Sequence, residues 1–178
     1  MKNKSREISM VGLMVALLCA SAYIAFPIPF TPIMITAQTI IINLIGLTLS
    51  PKNSAYAIIA FFLLGAIGVP VFSGGRAGLG VLFGPSGGYF LGFLIAAIVM
   101  AYLRGKSVNL KKYLFITICV GLPIILIWGA TWMSIYNGIG IIKTIEVAVL
   151  PFIIGDLIKA VVASIIALRI NKLQFMRQ

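Results

Sequence analysis

Short gaps divide this chain into long apolar runs, and nearly every charge lies in a gap. That pattern constrains the fold more than any motif does. A helix needs about 17–25 mostly apolar residues to cross a bilayer. Six stretches qualify, at roughly 8–26, 33–49, 54–71, 85–103, 113–135 and 145–170. The chain is 61% hydrophobic and 10% charged, against about 45–50% and about 25% in a soluble domain. One soluble core of this size cannot hide that excess. The sequence therefore predicts an all-α integral membrane protein, a bundle of six transmembrane helices, with residues 1–178 as one domain.

The basic residues set an orientation. Lys2, Lys4 and Arg6 precede the first span, and Lys52 lies between the second and third. Arg104, Lys106, Lys111 and Lys112 lie between the fourth and fifth, and Arg169, Lys172 and Arg177 flank the end of the sixth. The other side holds only Arg76 and Lys143. The positive-inside rule then places both termini in the cytoplasm of a multi-pass cell-membrane protein. The formal charge of +11 is accounted for in this way and is no nucleic-acid footprint. Trp128, Trp132 and Tyr136 fall toward the outer end of span five, as an interfacial belt would. Lys2–Arg6, the apolar run and Ala20-Ser-Ala22 have the outline of a secretory signal. The run continues through Tyr23–Phe26, so it is read as a retained span.

Two outer segments differ from ordinary loops. In Phe26-Pro-Ile-Pro-Phe-Thr-Pro32 the prolines forbid regular helix and favour an extended connection. Residues 68–88 are dense in glycine, which allows close backbone approach. Irregular backbone at membrane depth is tolerated where it is buried or lines a cavity. The alternative is a surface loop, which would leave Phe72, Leu79, Val81, Leu82 and Phe83 in water. At Leu49-Ser-Pro51-Lys-Asn53 a tight turn is expected, with Asn53 or Ser54 capping the next helix.

Polar residues inside the spans are the candidate site. Asp156 is one of only 3 acidic residues, and Lys159 follows it in the last apolar run. Three-residue spacing puts both on one helix face. Each costs about 2.5–3.5 kcal/mol to place in hydrocarbon on insertion scales, so the pair must face the protein interior or a polar cavity. It forms either a packing salt bridge or a ligand site. Gln38 sits near the outer end of span two, able to reach a cavity or bond a neighbouring helix, and Asn43 suits the second role. Arg76 can grip an anionic group or a lipid headgroup. Ser86 begins span four, where a helix N-terminus attracts anions or simply follows Pro85. Tyr89 can line a cavity or pack. Gly12, Ala16 and Ala20 make a small-residue stripe fit for internal packing or for a partner helix.

Several chemistries are excluded. There is no His, which removes His-based acid–base catalysis and His metal sites. One membrane Asp without a second carboxylate or an activated nucleophile does not make an intramembrane enzyme. The Gly-rich stretch lacks the Gly-Lys-Ser/Thr of a nucleotide-binding loop. No catalytic residue, metal or cofactor is therefore expected. Cys19 and Cys119 read as small apolar fillers.

Four motifs occur in order: Pro27-Ile-Pro-Phe-Thr-Pro-Ile-Met-Ile-Thr-Ala-Gln38-Thr, Gly65-Ala-Ile-Gly-Val-Pro-Val-Phe-Ser-Gly-Gly, Gly84-Pro-Ser-Gly-Gly-Tyr-Phe-Leu-Gly-Phe93 and Gly155-Asp-Leu-Ile-Lys159. Over nearly its whole length the chain resembles the BioY family, the biotin-specific S-components of energy-coupling-factor (ECF) transporters. The resemblance implies a six-helix bundle with a vitamin pocket near the outer surface, covered by the loops between helices one and two and three and four. It implies biotin as ligand, with Asp156 and Lys159 as its polar contacts. It also implies docking, through Ala16 and Ala20, on a transmembrane coupling subunit carrying two ATPases. Biotin offers two ureido N–H donors, a ureido carbonyl and a carboxylate. Asp156 can accept, Lys159 can donate and Gln38 can do either, while Arg76 or loop N–H groups suit the carboxylate. Two alternatives stay open: an S-component for another vitamin, and a self-sufficient secondary transporter, which internal inverted repeats would support.

Overall fold

A computed structural model of the chain describes residues 2–29 and 33–175. Phe30, Thr31 and Pro32 of the proline segment and Arg177 lie outside the described residues. Among the described residues, nine α-helices, one π-helical segment and two short strands follow in order. α1 is Lys2–Ser21. β1 (Ala25–Pro27) pairs antiparallel with β2 (Met34–Thr36), with Phe26 opposite Ile35. Ala25–Pro27, at the start of the proline segment, is extended as expected, and its pairing with β2 adds a small ribbon to an otherwise all-helical chain.

That ribbon shortens the second helix. α2 runs only Gln38–Thr48, 11 residues, or about 16 Å at 1.5 Å per residue, roughly half the hydrocarbon thickness. The expected span of 33–49 is corrected accordingly, because 34–36 are held in the ladder. α2 is nevertheless the buried centre, packing on α1, on α5 (Gly87–Arg104) and on α9 (Leu150–Phe175). Its far end is fixed where Arg104 Nη2 donates to the Leu49 carbonyl at 3.0 Å. A short helix anchored at the basic end leaves space above its start, and that space is where the cleft lies.

α3 (Pro51–Ala66) begins earlier than expected. Its cap is Ser50, whose Oγ accepts from Asn53 N–H at 3.3 Å, rather than Asn53 or Ser54. Asn53 instead donates to Glu7 at 3.2 Å. α4 is a single turn, Leu79–Leu82. α6 (Leu110–Phe115), the π-helical Ile116–Gly121 and α7 (Leu122–Asn137) make one continuous 28-residue helix. The expected sixth span is two helices, α8 (Ile141–Ala148) and α9, parted at Val149 just before Pro151.

Three helices among the described residues are long and apolar enough to cross a membrane: Gly87–Arg104, Leu110–Asn137 and Leu150–Leu173. α9 shows how they sit in lipid. Ile154, Ile158, Val161, Val162, Ile165 and Ile166 face outward, while Phe152, Asp156, Ala160, Ala163, Ser164, Ala167 and Asn171 face inward. Lipid is as apolar as these side chains, so close packing rather than exclusion from water holds such helices together. Small residues permit it: a Cβ on Gly92 of α5 would stand 3.0 Å from Ile125 Cα of α7. Asn43 is buried in α2, but its Oδ1 has no partner among the described residues, so the expected interhelical bond from that oxygen is not made.

Candidate ligand-binding site

A small cleft lies above α2, with about 40 Å³ of free volume, below the roughly 300–1,000 Å³ usual for small-ligand sites. β2 contributes Met34 and Thr36, two residues apart and so on one face of the strand. α5 contributes Tyr89, Phe90 and Phe93, and α9 contributes Phe152, Asp156 and Lys159. Ser73 and Arg76 come from the Gly-rich segment, with Thr39 from α2 and Ser86 just before α5.

Asp156 and Lys159 form a contact ion pair, Nζ to Oδ1 at 2.7 Å, with side chains 10% and 14% exposed. The three-residue spacing thus does bring them together. Thr39 bridges them: its hydroxyl donates to Asp156 Oδ1 at 3.2 Å and accepts from Lys159 Nζ at 3.1 Å. Both contacts use Oδ1, and Oδ2 has no hydrogen-bond partner among the described residues. The pair is neutral as a unit and holds an acceptor in reserve.

The sequence reading missed Thr39, although a signal existed. Thr48, Thr117 and Thr144 return their hydroxyls to carbonyls four residues back. Thr39 sits in the first turn of α2, where the residue four back belongs to β2. No helical carbonyl stands there, so the hydroxyl reaches across to α9.

Arg76 lines the cleft from a tight turn. Phe72 N–H donates to the Arg76 carbonyl at 2.9 Å, and Arg76 N–H donates back to Phe72 at 3.1 Å. Gly74 and Gly75 both take φ +73°, a left-handed conformation that glycine adopts without steric cost. Arg76 Nε donates to the Ser73 carbonyl at 3.0 Å. No carboxylate faces Arg76 among the described residues. With Asp156 and Lys159 cancelling, the cleft carries one net positive charge.

The Gly-rich segment is ordered structure, since Phe72 is fully buried. Its ring packs edge-on to Phe61 at 5.5 Å between centroids and lies 4.7 Å from Phe90. A Cβ on Gly65 would overlap that ring. Leu79 and Phe83 are exposed, so only part of the segment is packed away.

The other candidates divide. Ser86 lines the cleft, but its hydroxyl makes no cap to α5 and reaches only the Val81 carbonyl, at 3.5 Å. Tyr89 offers the cleft its ring, because its hydroxyl donates to the Ala148 carbonyl at the end of α8. Gln38 is wholly buried behind the lining and bonds the Gly-rich segment, nearer to the second of its two expected roles. Gly12, Ala16 and Ala20 are exposed on α1, whereas Met14, Leu18 and Ser21 point inward. Trp132 is more than an interfacial residue, since its Nε1 donates to the Gly84 carbonyl at 2.9 Å. No cluster of three potential metal-ligating residues occurs among the described residues.

A buried polar pair, a guanidinium with no carboxylate partner among the described residues, and aromatic walls together suit a small, partly apolar solute that carries both hydrogen-bonding groups and an anion. Comparisons with known proteins point the same way. Residues 1–175 match the model of the BioY family. The "Probable biotin transporter BioY" of Pyrococcus horikoshii is 39% identical over 94% of this chain and 98% of its own. The "Biotin transporter BioY" of Thermotoga maritima is 38% identical over 97% and 99%. A crystal structure of the S-component for biotin from an ECF-type ABC transporter superposes with a TM-score of 0.90 at 30% identity, covering 96% of this chain and 93% of that one.

Proposed function

The chain belongs to the BioY family, and from that premise we propose that it is the high-affinity biotin-binding membrane subunit, or S-component, of an ECF-type transporter. The family consists of transporter subunits, not enzymes. The observation that carries the biotin assignment is the Asp156–Lys159 pair opening onto an aromatic cleft that Arg76 also lines, with no carboxylate partner for Arg76 among the described residues. Asp156 Oδ2 accepts a ureido N–H, and Lys159 donates toward the ureido oxygen. Phe90, Phe93, Phe152 and Ile125 wall the thiophane ring and the valerate chain. Arg76 takes the carboxylate, with the Ser86 hydroxyl beside it. Tyr89 contributes its ring, and Gln38 acts from behind the wall.

Titrating detergent-purified protein calorimetrically with biotin, and in parallel with thiamine and riboflavin, tests this. Tight one-to-one binding of biotin alone is expected. Selective binding of another vitamin would transfer the site to that ligand, and no binding by folded protein would end the assignment.

Uptake by this reading needs the coupling subunit and two ATPases, which the chain meets through Ala16 and Ala20, with both termini in the cytoplasm. Exposure of that stripe in a membrane helix supports the docking role, because small residues let helix backbones approach. Ala16→Trp is expected to leave biotin affinity intact and to abolish uptake in cells carrying the partner subunits. Undiminished uptake would move the docking face elsewhere.

A further inference from the structure

The first two residues of α2 hold opposite sides of the cleft. Successive helical residues project about 100° apart, and here one side chain turns to the Gly-rich segment and the next to α9. Thr39 ties the Asp156–Lys159 pair. Gln38 uses both ends of its amide on the segment: Nε2 donates to the Val71 carbonyl at 3.3 Å, and Oε1 accepts from Ser73 Oγ at 3.0 Å. The Ser73 carbonyl in turn accepts from Arg76 Nε at 3.0 Å. Gln38, Ser73 and Arg76 thus form a chain of bonds from the bundle centre to the charge over the cleft.

We infer that Gln38 is a latch, a positioning residue that never touches the ligand but holds the turn bearing Arg76 and so sets the preference for an anionic ligand. The inference rests on the assignment of Arg76 to the biotin carboxylate. Phe72 plugs the start of the turn into the core. Beyond it, Gly74 and Gly75 have no side chains to anchor, and the bundle grips the turn through Gln38 on Ser73 and through Gly74 N–H on the Ala22 carbonyl at 2.9 Å. Without the Gln38 amide, the Val71 carbonyl and the Ser73 hydroxyl lose their buried partner. Unsatisfied buried groups favour an opened turn in which water reaches them.

Gln38→Met keeps the length of the side chain and removes the amide. Its first test needs no ligand. Trypsin cuts after Arg76 in the turn and after Lys143 on α8, which serves as an internal control. The variant is expected to be cut after Arg76 roughly tenfold faster than wild type with Lys143 unchanged, since cleavage tracks the population of the open form. Equal cleavage after Arg76, or acceleration at both sites, would overturn the latch.

The second test compares biotin with its uncharged carboxamide. In Gln38→Met the preference for biotin should shrink on the order of tenfold through weaker biotin binding, whereas Thr39→Val should weaken both ligands equally. An equal loss of both ligands in Gln38→Met would reduce Gln38 to general packing. A wild type that binds neither ligand would defeat the biotin reading, and the trypsin result would still decide the latch.

Discussion

The two halves of α9 carry polar residues on the same inward face and use them in opposite ways. In the lower half, Ser164 donates to the Ala160 carbonyl at 2.8 Å and meets Thr117 Oγ1 at 3.1 Å. Asn171 Nδ2 donates to the Leu47 carbonyl at 2.8 Å and to Tyr113 Oη at 2.6 Å. Protein neighbours take the Ser164 hydroxyl and the Asn171 Nδ2 group, and these bonds tie α9 to α2 and to the long α6–α7 helix. In the upper half, Asp156 and Lys159 meet each other and Thr39, yet among the described residues Oδ2 has no hydrogen-bond partner. Polarity in a membrane helix is therefore not enough to mark a site. The accounting of partners separates structural bonds from a surface kept ready for a ligand.

Substitutions along α9 sharpen that contrast. The largest effect belongs to Asp156→Asn. It leaves Lys159 without its counter-charge and weakens the acceptor, so biotin affinity is expected to fall on the order of a hundredfold. Calorimetry checks the affinity and a melting curve checks that the fold persists. Unchanged affinity would make the upper pair as structural as the lower one. Asn171→Leu should do the reverse, lowering stability by about 1–2 kcal/mol while biotin affinity holds. Denaturant midpoints and the same titration read both, and a selective loss of affinity would break the contrast. Ser164→Ala should be smallest, under about 1 kcal/mol, because Thr117 keeps its bonds to the Tyr113 and Leu114 carbonyls.

Much of the polar lining of the cleft was legible in the sequence, for identifiable reasons. An Asp and a Lys three apart in an apolar run have few ways to avoid lipid, so their pairing followed from helix geometry. Arg76 stood out as a charge among glycines and Ser86 as a polar residue at a helix start, while Tyr89 was open between cavity and packing; all three line the cleft. Other features depend on tertiary register. Gln38 and Thr39 are adjacent and both polar, and only the true start of α2 decides which faces the cleft. That start depends on the pairing of β1 with β2, a contact between segments too short to show a period. The break at Val149 was hidden because Leu150 and Pro151 keep the apolar run unbroken, and proline is tolerated in the first turn of a helix.

The most direct measurement is a crystal structure of the protein with biotin bound. The account predicts the ureido ring against Asp156 Oδ2 and Lys159, the carboxylate at Arg76, and Gln38 still bonded to Val71 and Ser73 without touching the ligand. Biotin seated elsewhere, with the Asp156–Lys159 pair closed on itself, would contradict it.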